Sequence, residues 1–288
     1  MVNYVTPACK CGCMATLFDD VADPRPNAVV APGAVWLPGF LDLRQQAWLA
    51  DRFREWAAGP VPPRAAAIHG KPMSVRTVCL GWHWRPYGYT RRAVDVNGRR
   101  VLPVPDYLVR LGRSAVAAAG EVAAERGSPN CFATPDFPGP GPSASDRRYT
   151  PDAALVNWYG EGARMGMHQD RDEATGAPVV SVSIGDACTF RFGNPDGRGR
   201  PYRDVTLESG DVFVFGGASR WAYPVRWCIR VGGASGASAA STQMDAQCTG
   251  GGPPPPSTRW ASICLGPSQC PVPRGSNGGD GLNRIVGP

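Results

Sequence analysis

The residues best suited to chemistry in this 288-residue sequence are His168 and Asp170, which lie two positions apart in the run Met-His-Gln-Asp-Arg-Asp-Glu at 167–173. On an extended strand, side chains two residues apart leave the same face. One imidazole and one carboxylate on one face supply two corners of the facial triad that binds non-haem Fe(II); the third corner is a second histidine from elsewhere in the fold. A His-x-Asp triplet also arises by chance, so the pair alone leaves metal binding and a structural role both open.

Further blocks of sequence surround this pair in a definite order. They are Met73-Ser-Val75, Gly81-Trp82 and Tyr89, then Asn157-Trp-Tyr159 and Gly162-Ala-Arg164, and after the pair Ala177-Pro-Val-Val-Ser-Val-Ser183, Phe190-Arg-Phe-Gly193, Leu207-Glu-Ser-Gly-Asp211 and Gly216-Gly-Ala-Ser-Arg220. Taken together, the series resembles the AlkB family of Fe(II)/2-oxoglutarate dioxygenases, which repair alkylated bases. The resemblance covers residues 33–223, which is most of the chain.

The resemblance implies roles for the polar residues in and before the cluster. His168 and Asp170 resemble two of the iron ligands, and Asn157 and Tyr159 look like the side chains that hold 2-oxoglutarate. Fe(II), 2-oxoglutarate and O2 are then the implied cofactors and cosubstrates. The implied reaction hydroxylates a methyl group on a base, and the methyl group then leaves as formaldehyde. Succinate and CO2 are the coproducts.

The resemblance also implies a set of side chains that bind nucleic acid. Trp82 is similar to the aromatic residue that stacks on a flipped-out base, Tyr89 to a contact with the backbone, and Asp172 to the carboxylate that reads the exocyclic amine of the base. The remaining candidates are Met73 and Ser74 near the same pocket, Glu173 beside Asp172, and Arg164 and Arg171, which suit phosphate contacts. Such an enzyme must extrude its base from a duplex and hold it between flat side chains. The alternatives are that the two aromatics belong to the core and that the two arginines are solvated.

The resemblance ends at Tyr223. The family has its second iron-binding histidine directly after this tyrosine, where this chain has Pro224, and none of the three histidines lies beyond His168. The family also ends in a strand of the form Arg-x-Asn-x-Thr-x-Arg, whose arginines clamp 2-oxoglutarate because a guanidinium binds a carboxylate in a bidentate way. No such block follows Tyr223. Both features are therefore lost at one boundary.

A single-base frameshift is one explanation of this boundary. When residues 223–230 are written in GC-rich codons, one base inserted in the codon of Pro224 changes the text to Tyr-His-Gly-Ala-Val-Val-His-Pro, which begins as the family does. The bias of the sequence towards Arg (28 of 30 basic residues), Gly and Pro fits a GC-rich gene. The other explanation is a diverged relative with an authentic tail.

The pattern of apolar residues predicts mainly β structure with flanking helices. Helical spacing occurs at 43–57 and 107–126, whereas short alternating runs at 154–159, 178–184, 189–192 and 211–215 predict strands. Short strands at regular intervals favour a sandwich or jelly roll, and the resemblance makes it a double-stranded β-helix (jelly roll). We expect three parts: a disordered N-terminal extension at 1–32, a dioxygenase domain at 33–223 that is incomplete at its end, and a disordered Gly/Pro-rich tail at 224–288.

Composition excludes several classes of protein. The chain has a net charge of +6 and 43% hydrophobic residues, which permits a polyanionic partner and a real core. No apolar run is long enough to cross a membrane, and the N-terminus does not resemble a secretory signal, so we expect a cytoplasmic protein. We also expect a monomer. Cys9, Cys11 and Cys13 alternate without the spacing of a zinc site.

Three functions are therefore compared. The first is oxidative dealkylation of N-alkylated bases in DNA, with RNA as a second possible substrate. The second is a nucleic-acid-binding pseudoenzyme that keeps the base pocket without holding iron. The third, a dioxygenase that acts on a protein or a small molecule, is disfavoured by the set Trp82, Tyr89 and Asp172.

Overall fold

The two sheets of this protein face each other across a common interior. The structure is a computed structural model that describes residues 25–128, 132, 149–172, 176–227 and 260–266. Two helices pack on the outer side of the larger sheet, and a second core fills the space between the sheets. The predicted jelly roll, mainly β with flanking helices, is confirmed.

The larger sheet has seven strands and the smaller has four, and all pairings between their strands are antiparallel. The larger sheet has the order β1 (Ala28–Ala31), β2 (Ala34–Leu37), β13 (Val212–Phe215), β10 (Val179–Gly185), β15 (Trp260–Gly266), β8 (Ala153–Tyr159) and β5 (Arg76–Leu80). The smaller sheet has the order β12 (Arg203–Leu207), β11 (Cys188–Phe192), β14 (Pro224–Trp227) and β9 (Arg164–Met165). Two short hairpins are β3 (Ala67–Ile68) with β4 (Lys71–Pro72), and β6 (His83–Arg85) with β7 (Gly88–Thr90).

Alternation along each strand separates the two cores. On β13, Val212 and Val214 point to the helices, whereas Phe213 and Phe215 point between the sheets. There, the rings of Phe213 and Phe190 meet edge to face with centroids 4.7 Å apart. Such a period of two is what a strand buried on both faces requires.

Both predicted helices form, as α1 (Leu43–Ala57) and α2 (Asp106–Glu125). Helix α1 begins at a capping box: Asp42 accepts a hydrogen bond from the amide of Gln45, whose side chain accepts one from the amide of Asp42. Gly127 follows α2 with a φ of +64°, a conformation that favours glycine at a helix end. Within the described residues, no helix combines the length and apolar composition needed to cross a membrane.

The predicted boundaries of the domain are wrong at both ends. Residues 25–31, assigned to a disordered extension, contribute strand β1 and Arg25, which binds Asp211. Residues 224–227 and 260–266, assigned to a disordered tail, form β14 and β15. The rest of both segments, including the three N-terminal cysteines, lies outside the described residues.

Strand β15 shows why a Gly/Pro-rich composition did not predict the structure of residues 260–266. It lies between β8 and β10 and pairs with both along its length. Its alternate residues Ala261, Ile263 and Leu265 complete the core against the helices. A short alternating segment is stabilised wherever its apolar face fills a gap in a buried sheet, even when the surrounding text is rich in Gly and Pro.

Candidate active site

A cavity of about 630 Å³ opens from the interior between the two sheets. Its walls come from both sheets, from hairpin β6–β7 and from the loop 166–172 between β9 and β10. Nine of the twelve predicted site residues line it: Met73, Tyr89, Asn157, Tyr159, Arg164, His168, Asp170, Arg171 and Asp172. The structure therefore brings most of the candidate residues to one cavity, and their roles stay predictions.

His168 and Asp170 face each other in the cavity, as their spacing predicted. His168 Nε2 lies 3.4 Å from Asp170 Oδ1. The other ring nitrogen, Nδ1, lies 2.8 Å from the carbonyl oxygen of Gly166, so that Nδ1 carries the proton that it donates. In the tautomer in which Nδ1 donates this hydrogen bond, Nε2 is the nitrogen left to bind a metal beside the carboxylate, which is the arrangement of a metal-ligating histidine.

Two side chains that the sequence did not single out hold this loop in place. Arg220 is 1% exposed and donates from Nε to the carbonyl of Ala177 and from Nη1 to that of Asp170, both at 2.9 Å. Gln169 donates to the carbonyl of Trp221. Arg220 could have been identified from the sequence, because it is a charged residue next to a run of small residues. An arginine buried there must bond to backbone carbonyls.

The described residues supply two of the three protein ligands of an iron site and not the third. No group of three His, Cys, Asp or Glu side chains that could hold a metal occurs among the described residues. Pro224 lines the cavity beside the pair, and its carbonyl oxygen lies 3.4 Å from the amide nitrogen of His168. The donor set therefore fits Fe(II) incompletely, and the gap lies where the sequence departs from the AlkB pattern.

The residues assigned to 2-oxoglutarate lie on the inner face of β8. Asn157 and Tyr159 are both buried, and Asn157 Oδ1 accepts a hydrogen bond of 2.7 Å from the hydroxyl of Thr77. Across the sheet, β15 directs Ser262 and Cys264 to this face and contains no arginine. The basic side chains in the cavity wall come instead from Arg164, Arg171 and Arg198.

Among the described residues, Trp84 is the tryptophan that lines the cavity, although it was not one of the predicted site residues. It lies on β6 opposite Tyr89 on β7, and its indole Nε1 donates a 2.8 Å hydrogen bond to Asp172 Oδ2. This bond joins the hairpin to the loop that carries His168. The sequence could have indicated Trp84, because it lies only two residues after Trp82, the tryptophan that was predicted to stack on a base.

Trp82 does not line the cavity, and its stacking on a base stays a prediction. Its indole donates a 2.9 Å hydrogen bond to Asp152 Oδ2, and the guanidinium of Arg91 stacks 3.6 Å above its ring. The cause is the preceding residue: Gly81 has a φ of +75°, and a Cβ there would lie 1.9 Å from the carbonyl oxygen of Asp152. This tight turn directs the Trp82 side chain away from the cavity.

Ser74, another predicted residue, does not line the cavity. Ser74 is tied to β9 instead, where its hydroxyl donates to the carbonyl of Arg164 at 2.9 Å and accepts from the amide of the same residue at 3.0 Å. It therefore positions Arg164 and does not reach the pocket. Glu173 lies outside the described residues.

A partly buried charged cluster anchors hairpin β6–β7. His83 Nε2 lies 2.6 Å from Asp95 Oδ1, and Arg64 Nε lies 3.1 Å from Asp95 Oδ2. Burial lowers the pKa of His83 despite the hydrogen bond to Asp95. Burial would raise the pKa of Asp95, but the hydrogen bond from His83 and the charge of Arg64 outweigh it and lower that pKa. At neutral pH the cluster therefore holds a neutral imidazole beside an ion pair.

Acidification should destabilise the fold through His83. Because its folded pKa lies below the value of about 6.5 in an unfolded chain, the unfolded state takes up a proton first as pH falls. The stability that neutral His83 contributes is thus complete above this pH and declines below it. Between pH 7.5 and 5.5, we expect Tm to fall at least about 2 °C more in the parent chain than in His83→Gln. Equal falls in thermal unfolding experiments would contradict this origin of the pH dependence.

Comparison with known families supports the resemblance. Residues 33–233 match the profile of the 2OG-Fe(II) oxygenase superfamily. The solved structure of OsALKBH1 superposes on 84% of this chain and on all of its own length, with a TM-score of 0.65 and 26% sequence identity. The match therefore extends to the arrangement of the sheets.

Three curated relatives place the chain more closely. The alpha-ketoglutarate-dependent dioxygenases AlkB of Escherichia coli and AlkB homolog of Caulobacter vibrioides are each 36% identical to it, over 72% and 69% of this chain and 86% and 79% of their own lengths. The DNA N(6)-methyladenine demethylase ALKBH1C of Arabidopsis thaliana is 32% identical over 67% of this chain, which spans only 42% of that longer protein. The chain belongs to the 2OG-Fe(II) oxygenase superfamily and, within it, to the AlkB family.

Proposed function

We propose that this chain binds an N-alkylated base of DNA in the cavity between its sheets and removes the alkyl group by oxidation. The observation that carries the proposal is the position of the His168–Asp170 pair inside a cavity whose wall also holds Trp84 and Asp172. The names of the bacterial and plant relatives, dioxygenase AlkB and DNA N(6)-methyladenine demethylase, support the same reaction.

The base would enter the cavity in a flipped-out conformation. A target atom inside a duplex is out of reach, so the nucleotide must leave the stack or come from a single strand. The arginines Arg164, Arg171 and Arg198 line the cavity and would hold the phosphates on either side, which is a sequence-independent contact. The same contacts would serve RNA. We propose that the chain acts as a monomer.

The cosubstrate side of the cavity lies deeper. Bound iron and 2-oxoglutarate would activate O2 for the oxidation of the alkyl group. His168 Nε2 and Asp170 would hold the metal, Arg220 would fix the backbone of the ligand loop, and Asn157 with Tyr159 would orient the 2-oxoglutarate. The buried position of the last two side chains would also exclude water from the reacting centre.

The alternative is a protein that binds the alkylated base without turnover. The observation in its favour is Pro224, which occupies the cavity wall where a third ligand would complete the site. Such a pseudoenzyme would retain every nucleic-acid contact described above.

Succinate release separates the two functions. The purified chain is supplied anaerobically with Fe(II), exposed to O2 and 2-oxoglutarate, and mixed with a single-stranded oligonucleotide that carries one methylated base. We expect slow release of succinate and formaldehyde that requires the methylated oligonucleotide and falls to background in His168→Ala. His69→Ala is the matched control, because His69 is exposed and does not line the cavity. Selective binding of the methylated strand without succinate would support the pseudoenzyme, and neither binding nor turnover would refute both.

A further inference from the structure

Hairpin β6–β7 forms one wall of the cavity, and its own strands do little to hold it there. Trp84, Pro86, Tyr87 and Tyr89 of this hairpin line the cavity. In the described part of the chain, its two strands pair with each other and with neither of the larger sheets. A two-stranded hairpin alone is only marginally stable in water. The place of the hairpin on the domain therefore depends on side-chain contacts.

His83 anchors the hairpin from its buried side. Its side chain is 1% exposed, and Nε2 lies 2.6 Å from Oδ1 of Asp95, in the loop after β7. Arg64, between α1 and β3, joins the same group: its Nε lies 3.1 Å from Asp95 Oδ2, its Nη2 lies 3.2 Å from His83 Nε2, and Nη2 also donates to the carbonyl of Trp84.

We propose that His83, Asp95 and Arg64 form a proton-sensitive latch, which releases hairpin β6–β7 and opens this wall of the cavity when His83 takes up a proton. The inference goes beyond the proposed function and does not depend on it, because the state of the latch can be measured without any ligand.

The atom that makes the latch sensitive to protons is Nδ1 of His83. Nε2 has the Asp95 carboxylate as its acceptor, so the neutral ring carries its proton on Nε2 and keeps a lone pair on Nδ1. Nδ1 is buried and has no hydrogen-bond partner among the described residues. A proton taken up at Nδ1 would therefore be a buried donor without an acceptor, which costs free energy as long as the latch stays closed.

The ionisable groups that face His83 come from every element packed around it. Asp95 favours the charged ring, whereas Arg64 and Arg85 oppose it, and burial has the largest influence, so the pKa of His83 lies below its usual value. Burial raises the pKa of Cys79, on β5 beneath the hairpin, to about 11, so that this thiol stays neutral. In a released hairpin the ring would be in water, where its pKa is about 6.5.

The linkage between protonation and opening gives the direction and the size of the effect. Because the open form binds the proton more tightly than the closed form, its population rises as the pH falls through the pKa of the open form. With that pKa at about 6.5, the population of the open form increases by at most about 10-fold between pH 7.5 and 5.5. The wall that contains Trp84 and Tyr89 is then absent from a larger share of the molecules.

Cys79 can report the opening. Its thiol is buried and accepts a 3.4 Å hydrogen bond from the amide of Trp84, so the hairpin covers it. The full chain is treated with 4,4′-dithiodipyridine, a disulfide reagent that modifies thiols in mildly acidic solution, and mass spectrometry follows the modification of Cys79. The rate in denaturant at the same pH, divided by the rate in the folded chain, gives a protection factor that is free of the reagent's own pH dependence.

We expect the protection factor of Cys79 to fall by about 5- to 10-fold between pH 7.5 and 5.5 in the parent chain. In His83→Gln, which cannot take up a proton at this position, it should fall by no more than about 2-fold. His83→Asn shares this property and replaces His83→Gln if that variant does not fold.

Two controls separate the latch from other events. Cys188 is buried between the two sheets, so it should be modified at least about 10-fold more slowly than Cys79 if the hairpin opens while the jelly roll stays folded. His69→Gln is the matched control variant, because His69 is exposed and its Nε2 lies 3.4 Å from the hydroxyl of Tyr87 at the tip of the same hairpin. It should keep the response of the parent chain.

Each contrary outcome overturns a defined part of the proposal. Equal falls in the parent and in His83→Gln would show that His83 is not the proton-sensitive group, and a response that disappears in His69→Gln would place that group at the tip of the hairpin. Equal rates at Cys79 and Cys188 would show that only global unfolding uncovers Cys79, so that no latch exists. All of these results leave the proposed function untouched, since no base, metal or cosubstrate takes part in the experiment.

Discussion

Replacing Pro224 with histidine should raise the rate of 2-oxoglutarate turnover at least about 100-fold, because a third protein ligand completes the facial triad of an iron site. Pro224 is buried in the cavity wall, and its carbonyl lies 3.4 Å from the amide of His168. A histidine at this position would be carried by β14 beside β11, on the same wall of the cavity. The measurement is succinate release with methylated single-stranded DNA.

Metal binding gives a second readout of the same change. Under argon, we expect the parent chain to bind Mn(II) weakly and Pro224→His to bind one equivalent, with the gain lost again when His168→Ala is added. Pro62→His is the matched control, since Pro62 is exposed and does not line the cavity. Tight, stoichiometric binding by the parent that depends on His168 would show that a third ligand comes from elsewhere in the chain.

The origin of Pro224 can be established from the sequence of the gene. The genomic DNA across codons 223–225 distinguishes a frameshift from an evolved tail. A shifted frame that encodes Tyr-His-Gly would also rewrite β15, whose inner side chains Ser262 and Cys264 now lie beside Asn157 and Ser181. A frame that encodes no such sequence would make β14 and β15 authentic strands of a diverged protein.

The sequence predicted those parts of the protein that depend on local spacing. His168 and Asp170 meet at the spacing of two that drew attention to them, although they lie in a loop and not on the extended strand that the spacing assumed. The helix at 43–57 ends where its apolar stripe ends. Periods of two and 3.6 residues are properties of the backbone itself, so a single sequence reveals them.

The errors arose where distant segments decide the outcome. The apolar alternation of β15 is short and stands in Gly/Pro-rich surroundings, and its place is set by the gap between β8 and β10. Trp82 and Trp84 are equally aromatic, and the choice between them is made by Asp152, which crowds the turn at Gly81 from 71 residues further along the chain. Hydrophobic periodicity does not reveal such contacts between residues that are far apart in the sequence.

Removing the carboxylate of Asp211 should destabilise the fold by about 3–5 kcal/mol, because it leaves buried donors without an acceptor. Asp211 is 0% exposed and accepts hydrogen bonds from Arg25 at 2.7 and 2.8 Å, from the Trp36 indole at 3.1 Å, and from the amides of Gly39 and Glu208 at 2.9 Å. It thereby ties the start of the described chain to β13. For Asp211→Ala we expect Tm to fall by about 10 °C or more.

A surface carboxylate provides the matched control for this prediction. Asp204 binds the guanidinium of Arg191 in a bidentate way at 2.7 Å, but both side chains are partly exposed. Since water replaces such a partner at little cost, Asp204→Ala should change Tm by no more than about 2 °C. If the alanine variant of Asp211 does not fold, Asp211→Asn takes its place, because the amide keeps the shape but can no longer accept all five hydrogen bonds. Similar losses for Asp211 and Asp204 would mean that burial of the carboxylate does not determine its contribution. A loss confined to Asp211 would show that a buried carboxylate with five hydrogen bonds stabilises the fold far more than a carboxylate at the surface.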